Sequence, residues 1–254
     1  MPSFKITLAY DGTDYVGWQR QANGVSIQSL LEDALRALDG RDVRVTGAGR
    51  TDAGVHALGQ VAAFTIERTL SSDAVLRALN AHLPDAIRVL VADEVAPTFH
   101  PRFCACTKTY RYRIWNGDVI SPFERRYAWH LTGTLDLDAM RAAARLVEGR
   151  HDFATFQASG GSATTSQREV FSSRFDCQSP TPLLVYDITG SGFLRHMVRN
   201  IVGSLVEVGR GRRPAGWIGD LLALRDRTVA GTTAPAMGLF LVSVEYGSAL
   251  AALS

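Results

Sequence analysis

Long apolar runs are missing from this 254-residue chain: no stretch of about 18 hydrophobic residues occurs, which excludes a transmembrane helix. Cysteine is scarce. Cys104, Cys106 and Cys177 cannot all pair, so there is no disulfide framework. The first two are one residue apart with no nearby histidine to complete a tetrahedral set, which argues against zinc and for buried thiols. The six histidines form neither an HExxH nor an HxH pattern, so no metal site is expected. A signal-peptide h-region is also lacking, because Met1-Pro2-Ser3-Phe4-Lys5 runs straight into a strand-like alternation. A cytosolic location is expected. Lysine is nearly absent: of 27 basic residues only Lys5 and Lys108 are lysines, and the other 25 are arginines.

Arginine is suited to bidentate phosphate contacts and to stacking, and its distribution says more than the net charge of +2. Between Pro101 and His130 stand Arg102, Lys108, Arg111, Arg113, Arg125 and Arg126 against Asp118 and Glu124. Tyr110, Tyr112, Trp115, Tyr127 and Trp129 are interleaved with them. A second basic window runs from Arg195 to Arg213. Guanidinium groups mixed with aromatics suit a surface that holds phosphates and stacks unpaired bases. Charge alone leaves a merely solvated, arginine-rich face equally open.

Periodicity predicts the elements. Phe4 to Tyr10 alternates as a strand and ends at the Asp11-Gly12 turn signal. Ile27, Leu30, Leu31, Ala34, Leu35 and Leu38 share one face of a helix, with Ser26 as N-cap and Gly40 as its stop. Strands are expected at 43–46, 59–66 and 87–95, and a helix at 72–81. The second half repeats the rhythm, with strands at 103–115, 172–177, 183–189 and 239–246 and helices at 136–147, 193–208 and 217–224. Residues 160–166 read as a flexible loop. The fold expected is α+β: two ferredoxin-like α/β sandwich halves sharing a mostly antiparallel central sheet, with a cleft where they meet. The halves are residues 1–100 and 101–246, followed by a frayed tail at 247–254.

The stretch Gly47-Ala48-Gly49-Arg50-Thr51-Asp52-Ala53-Gly54-Val55-His56-Ala57 carries the chemistry. A dinucleotide-binding fingerprint would need glycine where Asp52 stands, and no Gly-Lys-Ser/Thr follows to make a phosphate-binding P-loop. An aspartic protease or a glycosidase would need a second carboxylate. What remains is a glycine-rich loop that presents one acid, with Arg50 placed to favour its ionised form. An oriented, ionised carboxylate can act as a nucleophile. Local chemistry alone leaves a structural Asp52–Arg50 turn as the plainer alternative.

Resemblance changes that balance. The run Ala48 to Ala57 is similar to the catalytic motif of the tRNA pseudouridine synthase A family. Tyr10-Asp11-Gly12 with Gly17-Trp18-Gln19-Arg20-Gln21 resembles its N-terminal signature. Cys106-Thr107-Lys108-Thr109-Tyr110-Arg111-Tyr112 resembles its second motif, and Phe193-Leu194-Arg195-His196-Met197-Val198-Arg199-Asn200-Ile201-Val202-Gly203 its third. The matches fall in the family's order and span nearly the whole chain. The resemblance implies an isomerase that needs no cofactor and converts uridine to pseudouridine at positions 38–40 of the tRNA anticodon stem-loop, working as a homodimer. It implies Asp52 as nucleophile, Tyr110 against the target uracil, and Arg199 with Arg50 as partners of the aspartate. Arg195 and Arg199 are expected four residues apart on one helix. Arg20, Gln60, Lys108, Arg111, Arg195 and His196 join Tyr110 as expected RNA contacts. A non-catalytic RNA-binding or tRNA-folding protein using the same basic surface is the competing class.

Overall fold

The computed structural model describes residues 1–161, 163–178 and 180–247. The fraying expected of the tail concerns residues 248–254, which lie outside the described residues, as does Ser162 of the expected loop. In chain order the first elements are β1 (Ser3–Tyr10), α1 (Ile27–Asp39), β2 (Thr46–Gly47), β3 (His56–Thr65), α2 (Ser72–His82) and β4 (Ile87–Val95). Then come β5 (Ala105–Asn116), β6 (Trp129–Leu131), α3 (Leu137–Arg145), β7 (Gly149–Asp152), β8 (Gln167–Cys177) and β9 (Leu183–Gly190). The last are α4 (Met197–Gly209), α5 (Trp217–Leu224) and β10 (Leu239–Tyr246). The fold is mixed α+β on mostly antiparallel sheet. Among the described residues no helix is long and apolar enough to cross a membrane.

Two compact units form: Met1–Cys106 together with the segment from Phe240, and Thr107–Leu239. In the first, the strand order is β4–β1–β3–β10, with β2 on β3. All these pairs are antiparallel except β10 with β3, which sets Phe240 beside His56. α1 forms for the reasons its sequence gives. Ser26 accepts the Ser29 N–H in a reciprocal capping box, and Gly40 closes the helix at φ 80°, a left-handed conformation that glycine takes without strain. Its apolar face is buried at Ile27, Leu31, Ala34 and Leu35. At the start of α2 the Ser71 side chain accepts the Ala74 N–H.

In the second unit the order is β5–β9–β8–β7, with β6 parallel to β5. Asp136 caps α3, which packs on α4 and β8. α4 is buried on nearly every side, including Asn200 and Ser204, so it is a core helix rather than an amphipathic surface one.

Four expectations are corrected. The third-motif helix begins at Met197, not at Phe193, because His196 takes the left-handed conformation (φ 59°) and reverses the chain there. Arg195 is therefore off the helix, and its expected i, i+4 relation to Arg199 does not hold. β8 begins five residues earlier than the alternation suggests, since a bulge between Val170 and Ser172 interrupts the period at Phe171. Of the strand expected at 43–46 only Thr46 is in a strand. None of the cysteines is buried: Cys104 is half-buried, and Cys106 and Cys177 are exposed.

Candidate active site

Asp52 sits in the loop between β2 and β3, half-buried, and the backbone on both sides of it is clamped by the turn that follows β1. Trp18 N–H donates to the Thr51 carbonyl (3.0 Å), Gly54 N–H to the Tyr15 carbonyl (3.3 Å), and Val55 N–H closes back on the Asp52 carbonyl (3.1 Å). His56 Nδ1 lies 3.1 Å from both Gly12 N and Asp11 Oδ1, and the buried ring stacks 4.6 Å from Phe240. Two glycines in the turn allow this approach. A Cβ at Gly12 would overlap the Val55 carbonyl, and one at Gly17 would come within 2.5 Å of the Thr51 oxygen, at a φ of 101° that disfavours any side chain. The N-terminal signature is thus the brace of the Asp52 loop. The loop is also anchored from below: Ala48 N–H donates to Val61 O, Tyr10 Oη bonds Thr51 Oγ1 at 2.9 Å, and Gln60 Nε2 donates to the Gly49 carbonyl at 3.0 Å.

Burial raises the Tyr10 phenol to about 12, against a smaller opposing effect of its bonds to Thr51 and Gln60. The same desolvation raises Tyr112 and Tyr186. Each of these groups is neutral in the folded state and ionises more readily once unfolded. The stability they confer is therefore complete below pH 10, the ordinary value, and is lost as pH rises through the folded value. We expect the free energy of unfolding to fall between pH 10 and 12, by up to about 1.4 kcal/mol per pH unit for each such tyrosine, and the melting temperature to fall with it. Tyr10→Phe should flatten part of that slope in a pH series of thermal melts. An unchanged slope would remove Tyr10 from the account.

The other expected site residues divide clearly. Arg50 is exposed. Gln60 is corrected as an RNA contact: it has 0% exposure, its amide nitrogen holding Gly49 and its oxygen accepting Val61 N–H, so it is an internal strut. Arg20 precedes α1 and reaches its acids, with Nε 3.0 Å from Glu32 and Nη2 3.7 Å from Asp33.

In the second unit, β5 turns Tyr110, Tyr112 and Ile114 to the core and Arg111 to the other face. Tyr110 is 8% exposed and meets Phe193 edge-on at 5.1 Å. Tyr112 is fully buried and donates to the Pro235 carbonyl at 2.7 Å, which makes it a core residue. Arg111 forms a two-pronged pair with its cross-strand partner Asp187, both prongs at 2.8 Å. Lys108 is half-buried opposite Gly190. Arg195 is exposed and donates to the Ser159 carbonyl (2.8 Å), while His196 forms the left-handed entry to α4.

Arg199 is held by a device that sequence reading missed. Its Nε donates to the Ala234 carbonyl at 2.7 Å, and Ala234 N–H returns a bond to the Arg199 carbonyl at 3.1 Å. The neighbouring Asn200, fully buried, donates to the Phe156 carbonyl and accepts from Thr233 Oγ1 (2.7 Å) and Arg227 Nη2 (3.0 Å). The segment 231–235 is therefore locked against α4, and it orients the Arg199 guanidinium by its inner edge. The signal in the sequence was Gly231-Thr232-Thr233-Ala234-Pro235, a run too rich in small and polar residues for a helix or strand.

The first unit thus holds a carboxylate on a braced loop, and the second holds a buried tyrosine against Phe193 and a guanidinium oriented by the Ala234 carbonyl. Comparison with known proteins agrees. The family described as tRNA pseudouridine synthase matches residues 6–104 and 143–247. A tRNA pseudouridine synthase A of Solibacter usitatus is 50% identical over 249 residues, covering 97% of this chain and 100% of that protein. Those of Pelobacter propionicus and Myxococcus xanthus are each 48% identical over 246 residues, covering 97% of this chain and 100% and 92% of the relatives. On the family match and the identity over nearly its full length, the chain belongs to the tRNA pseudouridine synthase family.

Proposed function

We propose that this protein isomerises uridine to pseudouridine at positions 38–40 of the tRNA anticodon stem-loop, with Asp52 as the nucleophile. The observation that carries the reading is the brace around Asp52. Two backbone bonds from the turn after β1, a third that closes the loop on itself and two close glycine approaches fix one carboxylate-bearing loop. A mere turn would not need such fixing.

The reaction breaks N1–C1′, turns the uracil and joins C5 to C1′. The proton lost from C5 is balanced by one gained at N1, so no oxidant or co-substrate enters. The carboxylate attacks either C1′ or C6, and a base then removes the C5 proton. Tyr110 lies against the uracil. Arg50 and Arg199 are the two guanidinium groups of the catalytic set; Arg199 is aimed by Ala234 O, and Arg50 is exposed for the RNA. Extracting the target base costs a few kcal/mol, least for an unpaired loop base, and stacking with phosphate contacts offsets it. Following the resemblance, the protein acts as a cytoplasmic homodimer, with one tRNA touching both subunits.

Incubation with unmodified tRNA followed by site-resolved pseudouridine mapping tests activity and position together. Signal confined to 38–40 is expected. Binding without any base isomerisation would favour the non-catalytic RNA-binding class instead.

A further inference from the structure

Arg227 lies outside the motifs at 10–21, 48–57, 106–112 and 193–203, yet it is tied to the segment that holds Arg199. α5 ends at Arg225, which turns left-handed (φ 54°) and pairs with Asp152 at 3.0 Å. Asp226 then accepts both the N–H (2.9 Å) and the hydroxyl (2.7 Å) of Thr228, which fixes the single 3₁₀ turn at Arg227–Val229. From that turn Arg227 Nη2 donates to Asn200 Oδ1 at 3.0 Å and to Thr233 Oγ1 at 2.9 Å. Thr233 Oγ1 donates to Asn200 Oδ1 at 2.7 Å, and the three side chains close a triangle of hydrogen bonds. Directly after Thr233 comes Ala234, whose carbonyl accepts Arg199 Nε.

The fold itself has little need of this cation. Both acceptors are neutral oxygens, and burial lowers the pKa of the half-buried guanidinium with no carboxylate among the described residues to offset it. The desolvation cost of a partly buried charge cancels much of what its two hydrogen bonds supply. Removing Arg227 would also orphan nothing: Asn200 Oδ1 keeps the Thr233 hydroxyl, and Asn200 Nδ2 keeps the Phe156 carbonyl at 2.8 Å. What would go is the second anchor of the Thr233 side chain, one residue from the carbonyl that aims Arg199.

We propose that Arg227 is a positioning residue for pseudouridine formation, acting through Thr233 and the Ala234 carbonyl on the direction of the Arg199 guanidinium. The proposal rests on the reading of Arg199 as a catalytic group. A catalytic group misplaced by about 1 Å costs on the order of 10²-fold in rate, so a slack segment 231–235 is felt in the chemistry before it is felt in the fold.

The test is kcat, KM and melting temperature of full-chain variants, with unmodified tRNA as substrate. Arg227→Met, unbranched and without donors, should lower kcat about tenfold and leave KM within about twofold. Its melting temperature should stay within about 3 °C of wild type. Arg227→Lys should bring kcat back to within about threefold of wild type. A single nitrogen makes both bonds, and an ammonium carries enough protons to donate to both oxygens. In an Arg199→Ala background, adding Arg227→Met should lower kcat no further, because the two residues act through one path. Wild-type kcat in Arg227→Met would overturn the proposal, and so would a tenfold loss that persists without Arg199. A fall of about 10 °C in melting temperature with kcat unchanged would make Arg227 structural only. A rise in KM alone would make it an RNA contact, which also overturns the positioning role. Wild-type kcat in Arg199→Ala by itself would instead remove the reading of Arg199, so the two failures are separable.

Discussion

Asp52→Asn is expected to fold as the wild type does, to bind tRNA with similar affinity, and to lose pseudouridine formation by at least about 10⁴-fold. The substitution is isosteric. The bonds that fix the loop run through backbone groups of Thr51, Asp52, Gly54 and Val55, none of which changes. The amide differs in its electrons: its nitrogen lone pair is delocalised and its oxygen carries no formal charge, so it does not add to C1′ or C6. Three measurements separate the possibilities: thermal melting for the fold, filter binding for tRNA, and tritium release from C5-labelled uridine for turnover. A residual rate within tenfold of wild type would refute Asp52 as nucleophile. Loss of binding in step with loss of rate would turn the residue into an RNA contact.

How far the sequence reaches depends on the distance over which each feature is decided. α1 is legible because its cap, its apolar stripe and its stop all lie between Ser26 and Gly40. Asp52 stands out because a local run of residues resembles a known motif. What the sequence hides is decided across the fold. The parallel pairing of Phe240 with His56 brings the last strand against β3, and nothing local announces it. Arg111 reads as a free cation until the β5–β9 register sets Asp187 opposite it. Gln60 reads as a polar position on a strand, yet the Asp52 loop passes over it and excludes water. At His196, a positive φ on a residue with a side chain moved the start of α4 by about one turn, and no propensity foretells that. Motif glycines are the exception: Gly12 and Gly17 mark in sequence where another backbone must pass, though not which one.

The third motif ends in a glycine of this kind, and Gly203→Ala is expected to damage stability and rate together. A Cβ at Gly203 would overlap the carbonyl of Thr232, which is backbone and cannot rotate away. The segment 231–235 would have to lift from α4. Lifting it would strain the Gly231 N–H to Ser204 Oγ bond, the Thr233 bond to buried Asn200, and both bonds between Arg199 and Ala234. Arg227 depends on the same contact: burial lowers its pKa, and its Nη2 donates to Asn200 and Thr233, so displacement would leave a half-buried cation without those acceptors. We expect a loss of about 2–4 kcal/mol, read as a fall in melting temperature of roughly 5–15 °C for a chain of this size. Because the Ala234 carbonyl also aims Arg199, kcat should drop about tenfold at temperatures where the variant is still folded. Gly219→Ala is the matched comparison. It lies in α5 with nothing within 4 Å of the added methyl, so it should leave kcat alone and raise stability by up to about 1 kcal/mol through helix propensity. A Gly203→Ala protein that melted and turned over like wild type would mean that segment 231–235 is not what aims the arginine.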